Sequence, residues 1–155
     1  MKRLALVLVV LAAGVAADQA SKSIASAALV EGELHSYFGD LLRVQLIHNR
    51  GAFLSLGAGL SEGLRTAIFE VGAGAMLLGL LLYALLARGA TGAMAISAAL
   101  VCAGGIGNLI DRVGNDGRVI DFLNLGIGWL RTGIFNLADV FILGGVIALV
   151  WFTPS

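Results

Sequence analysis

The sequence predicts an all-α membrane protein: four transmembrane helices, with a small β-sheet and loops on one outer face. Three observations predict it. Of 155 residues, 59% are apolar and only 13% are charged, against roughly 25% charged in an ordinary soluble domain. The apolar residues are gathered into long blocks, with a mean hydropathy of +0.95 over the whole chain. The stretches between blocks contain short alternating segments of the kind that form half-buried strands. Ten basic and ten acidic residues are too few to cover a compact soluble body. They also cancel, so no basic field exists to hold nucleic acid. One cysteine, Cys102, allows no internal disulfide and no cysteine metal cluster.

A helix needs about 20 apolar residues to cross the hydrocarbon. The first span is placed at about residues 4–28. It follows Lys2 and Arg3, and no Gly or Pro interrupts residues 15–30. A cleaved leader ending near Ala17 is the competing reading, and the unbroken pattern favours a retained helix. The second span is placed at about 66–87, with Glu70 near its start. The third covers about 91–112 and the fourth about 134–153, giving a single integral-membrane domain over residues 1–155. Outer connections fall at about 29–65 and 113–133. Four spans put both termini on one side. Asp18, Asp111 and Asp139 then share the opposite face with both connections. Lys2 and Arg3 favour a cytoplasmic N-terminus, although the long connections hold more Lys and Arg in total.

Within the connections, Leu42-Arg43-Val44-Gln45-Leu46 alternates, and Val119-Ile120-Asp121-Phe122-Leu123 is short and β-rich. Both suit strands, and Tyr37 and Trp129 suit a membrane–water interface. Glycines in or beside the spans, including Gly104, Gly105, Gly107 and Gly145, suit close helix packing.

Ionisable groups at membrane depth cost roughly 2.5–3.5 kcal/mol each, so those present require partners or a task. Asp18 and Lys22 are spaced i, i+4, which fits a salt bridge or a substrate-orienting pair. Asn108, Asp111 and Arg112 share one face of the third span; a wet helix end is the plainer reading, a recognition cluster the sharper one. Asn136 and Asp139 open the fourth span, where an acid also favours the helix N-terminus. Asp121 lies between Ile120 and Phe122, pointing either to water or to the other carboxylates. Two carboxylates held close together keep a proton between them. One can then activate water while the other protonates a carbonyl oxygen, a metal-free acid–base hydrolysis. Spacing alone leaves open whether Asp111 or Asp121 partners Asp139.

Other chemistries fit less well. Ser21 and Lys22 are adjacent and diverge on a helix. His35 and His48 lack metal-ligand spacing, and His48 suits a strand-end hydrogen bond. Cys102 lies mid-span with no histidine nearby. The glycine run at 104–107 is inside an apolar block, so it is no phosphate loop.

Asp18-Gln19-Ala20-Ser21-Lys22, Asn49-Arg50-Gly51-Ala52, Gly104-Gly105-Ile106-Gly107-Asn108-Leu109-Ile110-Asp111-Arg112, Val119-Ile120-Asp121-Phe122 and Phe135-Asn136-Leu137-Ala138-Asp139 occur in order. In this the chain resembles bacterial lipoprotein signal peptidase (signal peptidase II), from residue 18 to 139. The resemblance implies an aspartic endopeptidase of the cytoplasmic (inner) membrane. Its termini would be cytoplasmic, and its sheet, loops and site would lie at the periplasmic face. It would cut prolipoproteins before a diacylglyceryl-modified cysteine. Asp121 and Asp139 match the family's catalytic pair. Asn49, Asn108, Arg112 and Asn136 match substrate or site contacts, and Asp18, Lys22 and Asp111 match supporting positions. A lipid-modified prolipoprotein and membrane lipids are the expected partners, with no cofactor, no metal and a monomer. Phe53 departs from the family pattern, which has alanine there. A small proton- or ion-coupled transporter is the alternative. A non-enzymatic scaffold would explain neither Asp121 nor the polar stripe on the third span.

Overall fold

The computed structural model describes residues 2–50, 61, 63–64, 67–87 and 89–153. Helix α1 is Lys2–Ala28. A π-helical stretch, Ala67–Gly72, leads into α2, Ala73–Leu86. Helix α3 is Gly92–Gly114 and α4 is Leu137–Phe152. Strands β1 (His35–Tyr37), β2 (Leu42–Asn49), β3 (Val119–Ile127) and β4 (Leu130–Arg131) pair antiparallel in the order β1-β2-β3-β4. The molecule is therefore mostly helical with one small antiparallel sheet.

Polarity is distributed the opposite way from a water-soluble bundle. Leu8, Val9 and Ile24 on α1, Met76 and Leu86 on α2, and Leu143, Ile147 and Val150 on α4 are exposed. Asp18, Lys22, Asn108 and Asp111 are buried. Each exposed aliphatic side chain would forgo about 1.5–3 kcal/mol of burial in water, and each buried charge would add a desolvation cost. Lipid as the outer solvent removes the first penalty. Among the described residues, Lys2–Ala28 and Gly92–Gly114 are long and apolar enough to cross a membrane; Glu70–Leu86 and Leu137–Phe152 are shorter apolar helices.

Helix α3 is the centre of the bundle. Its face of Ala95, Ala98, Ala99, Cys102 and Ala103 is fully buried, and Cys102 does no more than donate weakly to the Leu77 carbonyl. Thr91 caps its start, Oγ1 accepting from the Met94 N–H at 3.2 Å. Three glycines admit three neighbours. A Cβ on Gly107 would lie 2.3 Å from Asp18 Oδ2, on Gly104 2.3 Å from the Ala138 carbonyl oxygen, and on Gly105 2.4 Å from Leu77 Cδ2. Side-chain-free positions thus seat α1, α4 and α2 in turn. At the end of the bundle that holds the α1 N-terminus, Val7 packs with Ala95 and Ala99, and the Arg3 guanidinium donates to the Ala87 and Ala90 carbonyls between α2 and α3.

The sheet roots on the other end of α1 through Leu46, Phe122 and Ala25. Its pairing shifts register between Val44 and Ile47, after which Ile47 faces Asp121 and Asn49 faces Val119. Such a bulge bends the strand and re-aims its side chains. Asn49 and Asp121 become diagonal neighbours on one face. Helix α4 starts later than its apolar block, because Phe135 pairs with Leu123 of β3 and Asn136 is its N-cap.

Candidate active site

One hydrogen-bonded network joins eight of the nine candidate residues, drawn from α1, β2, α3, β3 and α4. Lys22 Nζ lies 2.8 Å from Asp18 Oδ2 and 2.8 Å from Asp111 Oδ2. It also donates to Asn108 Oδ1 at 3.0 Å. Asn108 Nδ2 donates to Asp139 Oδ1 at 3.0 Å. Asn136 Nδ2 donates to Asp121 Oδ1 at 2.8 Å, to Asn108 Oδ1 at 3.0 Å and to the Ile120 carbonyl at 3.1 Å. Asn49 Nδ2 donates to Asp121 Oδ2 at 3.0 Å.

Local chemistry explains these placements. Asn136 and Asp139 form a reciprocal capping box. The Asp139 N–H donates to Asn136 Oδ1 at 3.0 Å, and the Asn136 N–H donates to Asp139 Oδ2 at 3.1 Å. The box satisfies two otherwise orphaned donors and fixes Asp139 one turn into α4. Asp18 reaches the same turn, accepting from the Ala138 N–H at 2.9 Å through Oδ1. The capping reading of Asn136 and Asp139 is met, and the capping atoms are the ones that join them to the network.

Asp111 is saturated. Its Oδ1 accepts from Gln19 at 3.1 Å, and its Oδ2 accepts from Lys22 and from the Ile120 N–H at 3.1 Å. Asp121 is different: it is 4% exposed on the strand, and among the described residues its carboxylate accepts from the amides of Asn49 and Asn136. Burial lifts its carboxyl to about 6; the Asn49 hydrogen bond opposes the rise and the neighbouring Asp139 charge adds to it. Asp121 does not point to water.

Arg112 stands apart. It is half-buried and makes no ion pair with the described residues. Arg50 is exposed. Phe53, with the lip it would shape, lies outside the described residues. His48 takes the strand-end role expected of it, its Nδ1 lying 3.0 Å from Glu31 Oε1. Gln19 was not among the candidates. It donates to Asp18 Oδ2, the Gly107 carbonyl and Asp111 Oδ1, tying α1 to α3. Its sequence signal was a neutral amide inside an apolar helix, beside an acid of interest. Among the described residues no group of three or more His, Cys, Asp or Glu side chains could hold a metal ion.

A bundle with aliphatic side chains outside, and acids and amides buried inside, defines a membrane enzyme with a carboxylate–amide site. Two solved structures of bacterial membrane enzymes, obtained by the in meso method at 1.9 and 2.3 Å, share this fold. The first aligns with a TM-score of 0.79 at 27% identity, covering 94% of this chain and 90% of that one. The second aligns at 0.77 and 27%, covering 94% and 85%. The family model described as signal peptidase (SPase) II matches residues 10–154. The lipoprotein signal peptidase of Burkholderia mallei (strain SAVP1) is 34% identical over 134 residues, which is 86% of this chain and 78% of that protein. That of Borrelia duttonii (strain Ly) is 32% identical over 122 residues, 76% and 71% of the two chains. The chain belongs to the signal peptidase II family and is a membrane peptidase.

Proposed function

We propose that this chain removes signal peptides from prolipoproteins by aspartic catalysis, with Asp121 and Asp139 as the catalytic pair. The supporting observation is that Asn136 holds both carboxylates at once, by its side chain to Asp121 and by its backbone N–H to Asp139. Asp111, the competing partner, is occupied by Lys22, Gln19 and a backbone N–H. Asp18 is likewise paired.

In this reading one ionised carboxylate takes a proton from water as the water oxygen attacks the scissile carbonyl carbon. The protonated partner donates to the carbonyl oxygen. Collapse of the tetrahedral intermediate returns a proton to the leaving nitrogen and restores the pair. Proton transfer of this kind contributes about 10²–10⁴ in rate. The elevated Asp121 carboxyl favours it as the holder of the shared proton. Asn49 and Asn136 orient Asp121, and Arg112, which has no ion pair among the described residues, takes the substrate's backbone or lipid head. Asn108 and Asn136 hold the two aspartates at the substrate-facing edge of the network through Asp139 Oδ1 and Asp121 Oδ1. Asp18, Lys22 and Asp111 support them from behind.

The substrate is a prolipoprotein cut before a diacylglyceryl-modified cysteine, drawn from the surrounding lipid. We read four spans in the cytoplasmic membrane, with cytoplasmic termini and a site near the periplasmic face, in a monomer. Clustering of the polar network at the sheet end of the bundle supports that placement over a transporter. Cleavage of a synthetic lipidated precursor tests the reading. Asp121→Asn and Asp139→Asn each abolish cleavage while the protein still inserts and purifies as a folded species. Full activity in either variant overturns it, and strong inhibition by a metal chelator assigns a different mechanism.

A further inference from the structure

Lys22 is the largest fully buried side chain among the described residues, and the proposed proton transfers do not use it. Its ammonium carries three donors. Two meet the carboxylates of Asp18 and Asp111, each at 2.8 Å. The third goes to an amide, Asn108 Oδ1, at 3.0 Å.

That third bond has a consequence across the helix. Asn108 Oδ1 accepts from Asn136 Nδ2 as well, at 3.0 Å. With two donors on its oxygen, the Asn108 amide has one tenable orientation. Its NH₂ must face the other way, where it donates to Asp139 Oδ1 at 3.0 Å. A flipped amide would set NH₂ against an ammonium and a second NH₂, and its oxygen against a carboxylate. Every one of those contacts is repulsive.

We infer that Lys22 is a positioning residue for the peptidase reaction: through the Asn108 amide it fixes the donor that holds Asp139. The inference rests on Asp139 being catalytic. A cavity of about 300 Å³, lined by Gln19, Lys22, Ser23, Ser26, Asp111 and Ile120 among others, adjoins Lys22, and neither Asp121 nor Asp139 lines it. A small cation can therefore reach the lysine position without crossing the aspartate pair.

Steady-state cleavage of a diacylglyceryl-cysteine peptide by the full chain in detergent tests this. In Lys22→Met, kcat falls about 100-fold while KM stays within about threefold, because misplacing a catalytic group costs rate more than binding. In Lys22→Ala, ethylammonium restores kcat about tenfold and tetramethylammonium, which has no N–H, does not. A folded Lys22→Met with kcat within about threefold of the parent, or a loss confined to KM, overturns the inference. So does absence of rescue, or equal rescue by both cations. If Lys22→Met fails to fold, Asn108→Asp reads the same link. It keeps the size and the Lys22 partner but offers Asp139 an acceptor in place of a donor. The same fall in kcat is expected, and an unchanged kcat overturns the inference. Asp139→Asn separates the two readings. Activity there removes the catalytic pair itself; loss there with active Lys22 and Asn108 variants removes only the positioning role.

Discussion

Asp121 is held in a less favourable electrostatic state than the unfolded chain would give it. Its carboxyl sits near 6 against an ordinary 3.8, chiefly through burial. A raised carboxyl binds its proton more tightly when folded, so stability falls as pH rises from about 4 through about 6. Asp121→Asn removes that penalty. The new NH₂ faces one of the two amide donors, so the mark of the variant is its pH profile: it loses activity and lacks the parent's fall in stability from about pH 4 through about 6, and an equal fall in both proteins would contradict the burial argument. Asn49 donates to Asp121 and holds its carboxyl lower than burial alone would. In Asn49→Ala the basic limb of the kcat/KM profile should move to higher pH. Arg112 gives a third test, since it is half-buried and unpaired among the described residues. Arg112→Ala should raise KM with little change in thermal stability, and an equal loss of both would make it structural. At this scale the sequence was only partly legible. The i, i+4 spacing of Asp18 and Lys22 sufficed for their pairing. No spacing distinguished Asp121 from Asp111, because the distinction depends on which acid Lys22 and Gln19 occupy. Those partners come from α1, nearly a hundred residues away. The proposed choice of Asp121 came from the resemblance to the peptidase family, not from spacing.

Among the elements, α3 was easy to find and hard to interpret. Its apolar length marked a span, and its glycines marked close packing. That each glycine admits a different neighbour emerges only in three dimensions. Gly104→Ala would drive a methyl group into the Ala138 carbonyl, a backbone atom that cannot yield as a side chain could. Overpacking of this kind costs about 1–3 kcal/mol. Gly144→Ala meets nothing within 4 Å and should be nearly neutral. Thermal unfolding of the two variants in the same detergent checks the contrast, and comparable melting points would refute it. The strands were legible from alternation, but the bulge after Val44 was not. It brings Asn49 to Asp121, a diagonal pairing that only the three-dimensional register shows. The start of α4 moved for a similar reason: the apolar block continues backwards through Phe135, whose backbone the sheet claims first.

For the whole molecule, composition was the most legible signal, since a chain this poor in charge has to turn its aliphatic surface to lipid. The sheet end shows how that surface ends. Phe38, Ile127, Trp129 and Leu130 are exposed at neighbouring turns, and Arg131 binds the two turns together by donating to the Asp40 carbonyl. Asp40 in turn pairs with Arg43 and has its carboxyl lowered by it. If these turns rest at the bilayer interface, Trp129 should emit as an interfacial tryptophan in vesicles. With Trp151→Phe leaving Trp129 as the sole indole, quenching by shallow brominated lipids and weak quenching by aqueous iodide are expected. The reverse pattern would place the turns in water.

The central position of α3 also orders events during synthesis. Asn108 and Asp111 leave the ribosome inside an apolar segment, and their partners belong to helices made at different times. Lys22 and Gln19 already exist in α1 when α3 emerges, so Asp111 can be satisfied at once. Asn108 lacks its contacts with Asn136 and Asp139 until the last helix arrives. The half of the network that neutralises charge can therefore assemble before the half that contains both aspartates. A chain arrested after α3 would insert without the proposed aspartate pair, and on that proposal competence would arise only with the final helix.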